Sequence, residues 1–533
     1  MCRIAGIINK NFPVNQLEQM VLSMCNCLTH GGPDDGGIYS PPDANVVLGN
    51  RRLALQDLSS AGHQPMHFQE RYSITFNGEI YNFPELKAEL KNLGYSFTNH
   101  TDTEVVLAAY AEWNTRAFER FNGMFALAIW DNEQQELVLA RDSSGMKPLY
   151  YSTHSGGICF ASEIRAFKPI PFLNEENPDW PVFLLAYGHI PEPVTTLKNV
   201  KPLHKGCFLK YNYQTGKTSF QAFSFYSYSS QYGNRIEITQ RVKNLVEKSV
   251  KRHLIADAPI GVFLSGGLDS SVITKVAANA TGKNLNTLSL YFKEADFSEK
   301  KYQDLILKDT NCNSFQHLLT EDEFVEKLPS IISQMDMPSC DGINTWFISN
   351  MARREGLKAV LSGVGGDELF GGYPSFERMK FASALQNLPG LITNATKHSS
   401  RKELSRLSYL NLDGIKGIYL FLRGLFNISE IAKQLQSSEK EIKNILESMP
   451  VFQDISNLSY GNQASWMEFN LYMQNQLLRD SDVMGMANSV EIRVPFLDKD
   501  LVNYVTAINS DEKYSGSFKK QLLIDSFTEL IPR

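Results

Sequence analysis

The sequence predicts two joined folds. An α+β layered domain is expected over residues 2–200, and an α/β domain with a parallel sheet and a helical C-terminal part over residues 235–533. Three observations carry this. Short β-rich runs bounded by turn signals alternate with helical spacing in the first segment. From Arg235 onward, apolar strand-like runs alternate with helical stretches, as in a sheet covered by helices. After Pro374 the pattern is mostly helical, punctuated by Gly and Pro.

In chain order, strands are expected at Arg3–Ile8, Ser73–Phe76, Ala126–Trp130, Leu137–Ala140 and Ile158–Ala161. Helical spacing runs over Val14–Thr29, Phe83–Leu93 and Thr103–Trp113. Residues from about Pro191 to Gly233 are rich in Tyr, Ser, Pro and Gly, and 201–234 read as a connector, with Gly206–Tyr211 open as a strand. In the second half, strands are expected at Gly261–Leu264, Thr287–Phe292, Ser314–Leu319 and Lys358–Leu361.

Bulk properties bound the function. A chain of 533 residues with 43% hydrophobic and 21% charged residues is ordinary globular protein. A net charge of -6 argues against a broad nucleic-acid surface. The seven cysteines have irregular spacing, without paired Cys-x-x-Cys motifs, which suits a reducing compartment. MCRIAGIINK is too short an apolar stretch for a signal peptide, and no apolar run has transmembrane length. The expected setting is cytoplasmic, without membrane or nucleic-acid partners; a homodimer is one expected assembly.

Cys2 follows Met1 directly. Removal of Met1 would give Cys2 a free α-amine, which can act as general base for its own thiol. The stretch FNGEIYN places Asn77 and Gly78 at the end of a strand-like run. The Asn amide and the Gly backbone N–H can form an oxyanion hole. The same dipeptide also suits a hairpin turn. Arg52, in NRRL, could hold a carboxylate in bidentate fashion. Asp102, in HTDTEV, sits where a helix N-cap is expected and could hold an ammonium.

The ordered set MC-x-I-x-G, RRL, NGEIYN and TDTE resembles the class II glutamine amidotransferases, as do RDSSGMKPLYY and FASEI. The resemblance implies a four-layer N-terminal nucleophile sandwich. It also implies that Cys2 attacks the glutamine side-chain amide, that Asn77 and Gly78 stabilise the oxyanion, and that Arg52, Glu79 and Asp102 hold the amino-acid end.

Ser265–Ser271 (SGGLDSS) lies between an apolar run and the helical pattern Asp269–Ala278. Backbone N–H groups in such a loop, with the helix dipole behind them, bind phosphate oxygens. Ser265 and Ser270 add hydroxyl donors around Gly266 and Gly267, and Asp269 can hold Mg2+. The loop resembles the PP-loop of ATP pyrophosphatases and lacks the Walker ending. A second glycine loop, Ser362–Tyr373, offers Ser362 and Gly363 to an adenylate and Asp367 as a second metal ligand. With Asn488–Asp498 (NSVEIRVPFLD), these stretches resemble the asparagine synthetase family, which adds Leu264 and Leu290 as nucleotide contacts. The family resemblance implies ATP and Mg2+, glutamine, and an acceptor carboxylate activated as an acyl-adenylate. L-aspartate is the first expectation, and ammonia is expected to travel through an internal tunnel. A sugar acid of polysaccharide biosynthesis is the alternative acceptor, and a glutaminase without synthetase activity is a third reading.

Several positions depart from the family pattern. Val364 stands where an acidic residue is common, Val483 where a basic one is, and Met337 follows Asp336 in place of an acid or amide. Arg479, Asp480 or Asp482 could supply other charges, or the acceptor could differ. Gly31 and Ser143 each replace an arginine. The family continues past the position of Arg533 with a further helical segment, so truncation is one reading. Lys519 and Lys520 are then the last candidates for phosphate contact.

Overall fold

The computed structural model describes residues 2–229, 231–294, 298–385, 402–450 and 452–530. Met1 and Arg533 lie outside the described residues. Twelve strands build the first half: β1 (Cys2–Asn9), β2 (Asp35–Tyr39), β3 (Val46–Arg52), β4 (Met66–Phe68), β5 (Tyr72–Ile80), β6 (Gly123–Asp131), β7 (Glu136–Arg141), β8 (Tyr150–His154), β9 (Gly157–Ala161), β10 (Lys201–Pro202), β11 (Cys207–Asn212) and β12 (Thr218–Ala222). They form two six-stranded sheets, ordered β10-β8-β9-β1-β3-β2 and β12-β11-β7-β6-β5-β4. The pairings within both are antiparallel.

Period-two alternation makes the layers. Ile4 and Ile8 of β1, Val46 and Leu48 of β3, and Ala126, Ala128 and Trp130 of β6 pack between the sheets. Ala5, Ile7 and Val47 face the other way, against Leu17, Val21 and Met24 of the helix Val14–Cys27. Leu127 and Ile129 pack with Leu86, Leu90 and Val106 of the helices Phe83–Asn92 and Asp102–Trp113. The result is helix, sheet, sheet, helix, the expected four-layer sandwich.

The segment 201–234 needs correction as a connector. β10, β11 and β12 lie within it, and β11 pairs with β7. Phe208, Leu209 and Tyr211 are buried in the sandwich core, so strand pairing continues to Ala222.

The second half carries a five-stranded sheet: β13 (Ile260–Phe263), β14 (Asn286–Tyr291), β15 (Asn313–Leu318), β16 (Ala359–Leu361) and β17 (Glu491–Arg493). Its order is β15-β14-β13-β16-β17, and the pairings are parallel. The chain leaves β13 toward β14 and β15, then returns to β16 on the other side. Ligands of open parallel sheets bind where the strand order reverses in this way. β17 was missed at the sequence level because three residues are too few to show a period.

The two halves share apolar packing. Leu53, Leu55, Tyr81, Met124 and Met146 of the sandwich join one buried cluster with Val250, Met486 and Phe496. Among the described residues, no helix is long and apolar enough to cross a membrane.

Candidate active sites

Cys2 opens β1, which is central in its sheet and pairs with β3 in a register that sets Cys2 opposite Arg52. The thiol is buried. Burial pushes its pKa up, while the Arg52 charge and the Leu53 backbone N–H pull the other way. The Cys2 thiol therefore needs a base before it can act as a nucleophile.

Asn77 and Gly78 do not form a hairpin turn. Both lie inside β5, paired with Ala126 and Phe125 of β6. Thr75 Oγ1 donates to the Gly49 carbonyl of β3 at 2.9 Å, which fixes that face of β5 toward the first sheet. Alternation then aims Asn77 and Glu79 at the sheet that carries Cys2. Asn77 is fully buried, and neither atom of its amide has a hydrogen-bond partner. Buried polar groups are normally satisfied, so an orphaned amide here calls for a ligand. A Cβ at Gly78 would lie 2.2 Å from the Met124 carbonyl oxygen, so only glycine fits this pairing.

Arg52 is engaged by the loop that follows it. Its guanidinium donates to the carbonyls of Ser59 (2.9 Å), Gln56 (3.2 Å) and Asp57 (2.5 Å). Glu79 accepts from Gln56 Nε2 at 2.5 Å and lies 3.3 Å from the Arg493 guanidinium. Burial pushes the Glu79 carboxyl well up, against the pull of Arg493. Asp102 is not the helix cap. Thr101 caps the helix Asp102–Trp113 by accepting from the Glu104 N–H, and Asp102 is its first residue. Asp102 Oδ2 accepts from the Ile80 N–H at 2.9 Å, and burial raises its carboxyl to about 6.

In the second half, neighbouring strands β13 and β16 deliver the two glycine loops side by side. Gly266 has φ +96°, a left-handed conformation that permits the sharp exit from β13. Ser265 Oγ lies 2.9 Å from Ser270 Oγ and accepts from the Gly267 N–H at 3.2 Å. The helix Leu268–Thr281 starts at once, so its dipole points into the loop. A Cβ at Gly366 would lie 2.4 Å from Asp269 Cγ, which shows how closely the second loop approaches the first.

Between the loops lies a cleft of about 470 Å³. Ser265, Gly267, Asp269, Ser270, Leu290, Ser362, Gly363, Val364 and Asp367 line it. Two expected contacts do not: Leu264 is fully buried beneath the loop, and Gly266 turns against Glu299 and Tyr302. Lys520 also lines the cleft, bridging Asp269 (2.6 Å) and Asp367 (2.5 Å). Asp269 Oδ1 is buried without a partner. Burial and the neighbouring Asp367 raise the Asp269 carboxyl to about 6, against Lys520. Glu368, unnoticed in the sequence, lines the cleft and accepts from the Tyr373 hydroxyl at 2.9 Å. Burial lifts its carboxyl to about 8.

The substitute charges considered for Val364 and Val483 lie outside the walls of this cleft. Asp482 pairs with Arg3 at 2.7 Å and Lys147 at 3.0 Å, joining the two halves. Asp480 accepts from Ser339 Oγ at 2.5 Å, and Arg479 donates to the Ile190 carbonyl at 3.0 Å. Val483 is buried. Met337 packs in the outer core of the sandwich, while Asp336 accepts the N–H groups of Ile164 and Arg165, both at 2.8 Å. Gly31 leaves room for Arg3, whose Cγ would lie 2.6 Å from a Cβ there.

Arg493 is another residue that sequence reasoning missed. Its side chain reaches Glu79 in the first site and Glu491 at 2.5 Å. Its carbonyl accepts from the Ser362 N–H of the second site at 2.8 Å. The only signal was the NSVEIRVPFLD stretch, which gives no hint of a cross-domain contact.

Each half of the chain matches a known family. Residues 1–224 match the glutamine amidotransferase domain, and residues 241–533 match asparagine synthase. The chain is 30% identical to an asparagine synthetase [glutamine-hydrolyzing] 1 of Bacillus subtilis, over 100% of this chain and 85% of that protein. It is 29% identical to a putative asparagine synthetase [glutamine-hydrolyzing] of Mycobacterium tuberculosis, over 95% and 80%. It is 24% identical to amidase chry2 of Gibberella zeae, over 95% and 82%. The chain therefore belongs to the glutamine-hydrolysing asparagine synthetase family and is an ATP-dependent ligase that draws its nitrogen from glutamine.

Proposed function

We propose that this chain transfers the side-chain nitrogen of glutamine to a carboxylate activated as an acyl-adenylate. The primary reading is L-aspartate, L-glutamine and ATP to L-asparagine, L-glutamate, AMP and pyrophosphate. The observation that supports it is that each half holds a buried polar group without a protein partner: the Asn77 amide in the sandwich and Asp269 Oδ1 in the cleft.

The Cys2 thiol gives its proton to a base, the mature α-amine, and attacks the glutamine amide carbon. The Asn77 amide and the Gly78 N–H receive the oxyanion. Asp102 and Glu79 hold the amino-acid end, with Arg52 fixing the loop around it. Ammonia leaves, and water releases glutamate from the thioester. In the cleft, Gly267, Ser265 and Ser270 receive phosphate oxygens. Ser362 and Gly363 hold the nucleotide while the acceptor carboxylate attacks the α-phosphate and pyrophosphate leaves. The apolar packing shared by the two halves suits passage of neutral ammonia.

Asp269 and Asp367 would hold Mg2+. Among the described residues no cluster of three or more metal-ligating side chains exists. The two carboxylates fit a cation that takes its remaining ligands from phosphates and water. Bound there, Mg2+ would neutralise charge on the pyrophosphate leaving group.

A second reading is favoured by Val364, which puts an apolar wall in the cleft where an acid is common. Under it, the acceptor is another carboxylate, such as a sugar acid. ATP–pyrophosphate exchange measured across candidate acids decides between them. Exchange with aspartate supports the primary reading; exchange with another acid and none with aspartate removes it.

A further inference from the structure

A second cavity, of about 480 Å³, lies between the two halves and shares no wall residue with the nucleotide cleft. None of the residues assigned above to glutamine, nucleotide or Mg2+ lines it. Its size is that of small-molecule sites. The walls include Glu192 and Lys205 of the first half, Tyr226 and Tyr228 from the chain joining the halves, and Trp466 and Phe469 from the C-terminal helices. Phe469 belongs to a π-helical stretch, Glu468–Leu478. Such stretches are rare and collect at functional sites.

Lys205 points to the ligand. It is only 9% exposed, and its Nζ has no hydrogen-bond partner. The carboxylates near it are satisfied elsewhere. Glu192 accepts from Arg141 and from Gln474, both at 2.7 Å. Asp142 accepts the backbone N–H groups of Phe125, Ser144, Met146 and Lys147. The Lys205 Nζ lies 4.8 Å from the Phe469 ring centroid, so ammonium and aromatic wall adjoin. Burial lowers the ammonium to about 7, although Glu192 pulls it up. Tyr226 and Phe469 meet edge to face, with ring centroids 5.4 Å apart. A buried cation without a hydrogen-bond partner beside such aromatic faces is satisfied by an anion attached to a flat apolar body.

We propose that this cavity binds a small molecule with a flat, largely aromatic body and one anionic group, whose charge pairs with Lys205. The probe is 8-anilinonaphthalene-1-sulfonate, an aromatic monoanion, titrated into the full chain by fluorescence. N-phenyl-1-naphthylamine is the neutral control. Wild type binds the anion at one site, and Lys205→Met weakens it by at least about tenfold, the loss of one charge-assisted contact. The neutral control changes little. The Lys205 charge is present below its pKa, so anion affinity falls as pH rises from about 6 to about 8.5. Lys205→Met loses that dependence. Equal anion binding by wild type and Lys205→Met, with the same pH profile, overturns the proposal. Gln453→Glu decides the matter should Lys205→Met fail to fold by circular dichroism, because a new negative wall charge must repel the anion and spare the neutral control. Unchanged anion affinity in Gln453→Glu also overturns the proposal.

Discussion

The two sites of this chain are built by different rules. The sandwich site sits mainly on strands: Cys2, Asn77 and Glu79 are aimed by the two-residue period of β1 and β5, with Arg52 at the end of β3 and Asp102 at a helix start. The nucleotide cleft sits on loops beyond the ends of β13 and β16, and its shape comes from two segments 97 residues apart in sequence, as Ser265 and Ser362 show. The first site brings Cys2 opposite Arg52. The second sets two glycine loops side by side and places Val364 in the cleft wall. A strand-borne site tolerates little change because neighbours fix every position. A loop-borne cleft can keep one subsite and alter another.

That contrast can be broken most sharply at Cys2. Cys2→Ala should lower glutamine-dependent amide formation by at least about 10³-fold while turnover supported by ammonium chloride stays within about twofold. Equal loss with both donors would mean that the two sites are not chemically separate. Asn77→Ala should reduce the glutaminase kcat by about 10² to 10³, roughly 3–4 kcal/mol of transition-state stabilisation, with little change in KM. A change confined to KM would make Asn77 a ground-state contact instead.

In the cleft, Lys520→Met removes the cation between Asp269 and Asp367. The KM for ATP should rise about tenfold, equivalent to ~1.4 kcal/mol, and glutaminase activity should be untouched. The smallest effect is one of pH. Asp102 has its carboxyl raised to about 6 by burial, so its charge is present above that pH and lost below it. Glutamine KM should therefore climb several-fold as pH falls from about 7 to about 5.5. Asp102→Asn should have a high KM throughout and no such limb.

Much of the sandwich was legible because its signals are local. Alternation along β1 and β6, and the ordered motifs around Cys2, Arg52, Asn77 and Asp102, need no knowledge of distant contacts. Asn77-Gly78 was open between turn and strand because the dipeptide suits both. Pairing with β6 decided for strand. The segment 201–234 read as a connector with Gly206–Tyr211 open as a strand; pairing with β7 decided for strand there, and β12 shows only through its pairing with β11. Arg493 escaped as a site residue, and the partners of Lys520 were not foreseen, because each acts across more than two hundred residues of sequence, as the pairs Arg493–Glu79 and Lys520–Asp269 show.

By itself, the sequence determined the order of the two folds and singled out Cys2 as candidate nucleophile and SGGLDSS as candidate phosphate loop, because these rest on short periods and contiguous motifs. Only the tertiary structure decided that Arg479, Asp480 and Asp482 lie outside the cleft walls, that Arg493 touches both sites, and that Lys205 is left unpaired beside an aromatic cavity. Burial and pairing depend on neighbours brought together by folding, and no local pattern encodes them.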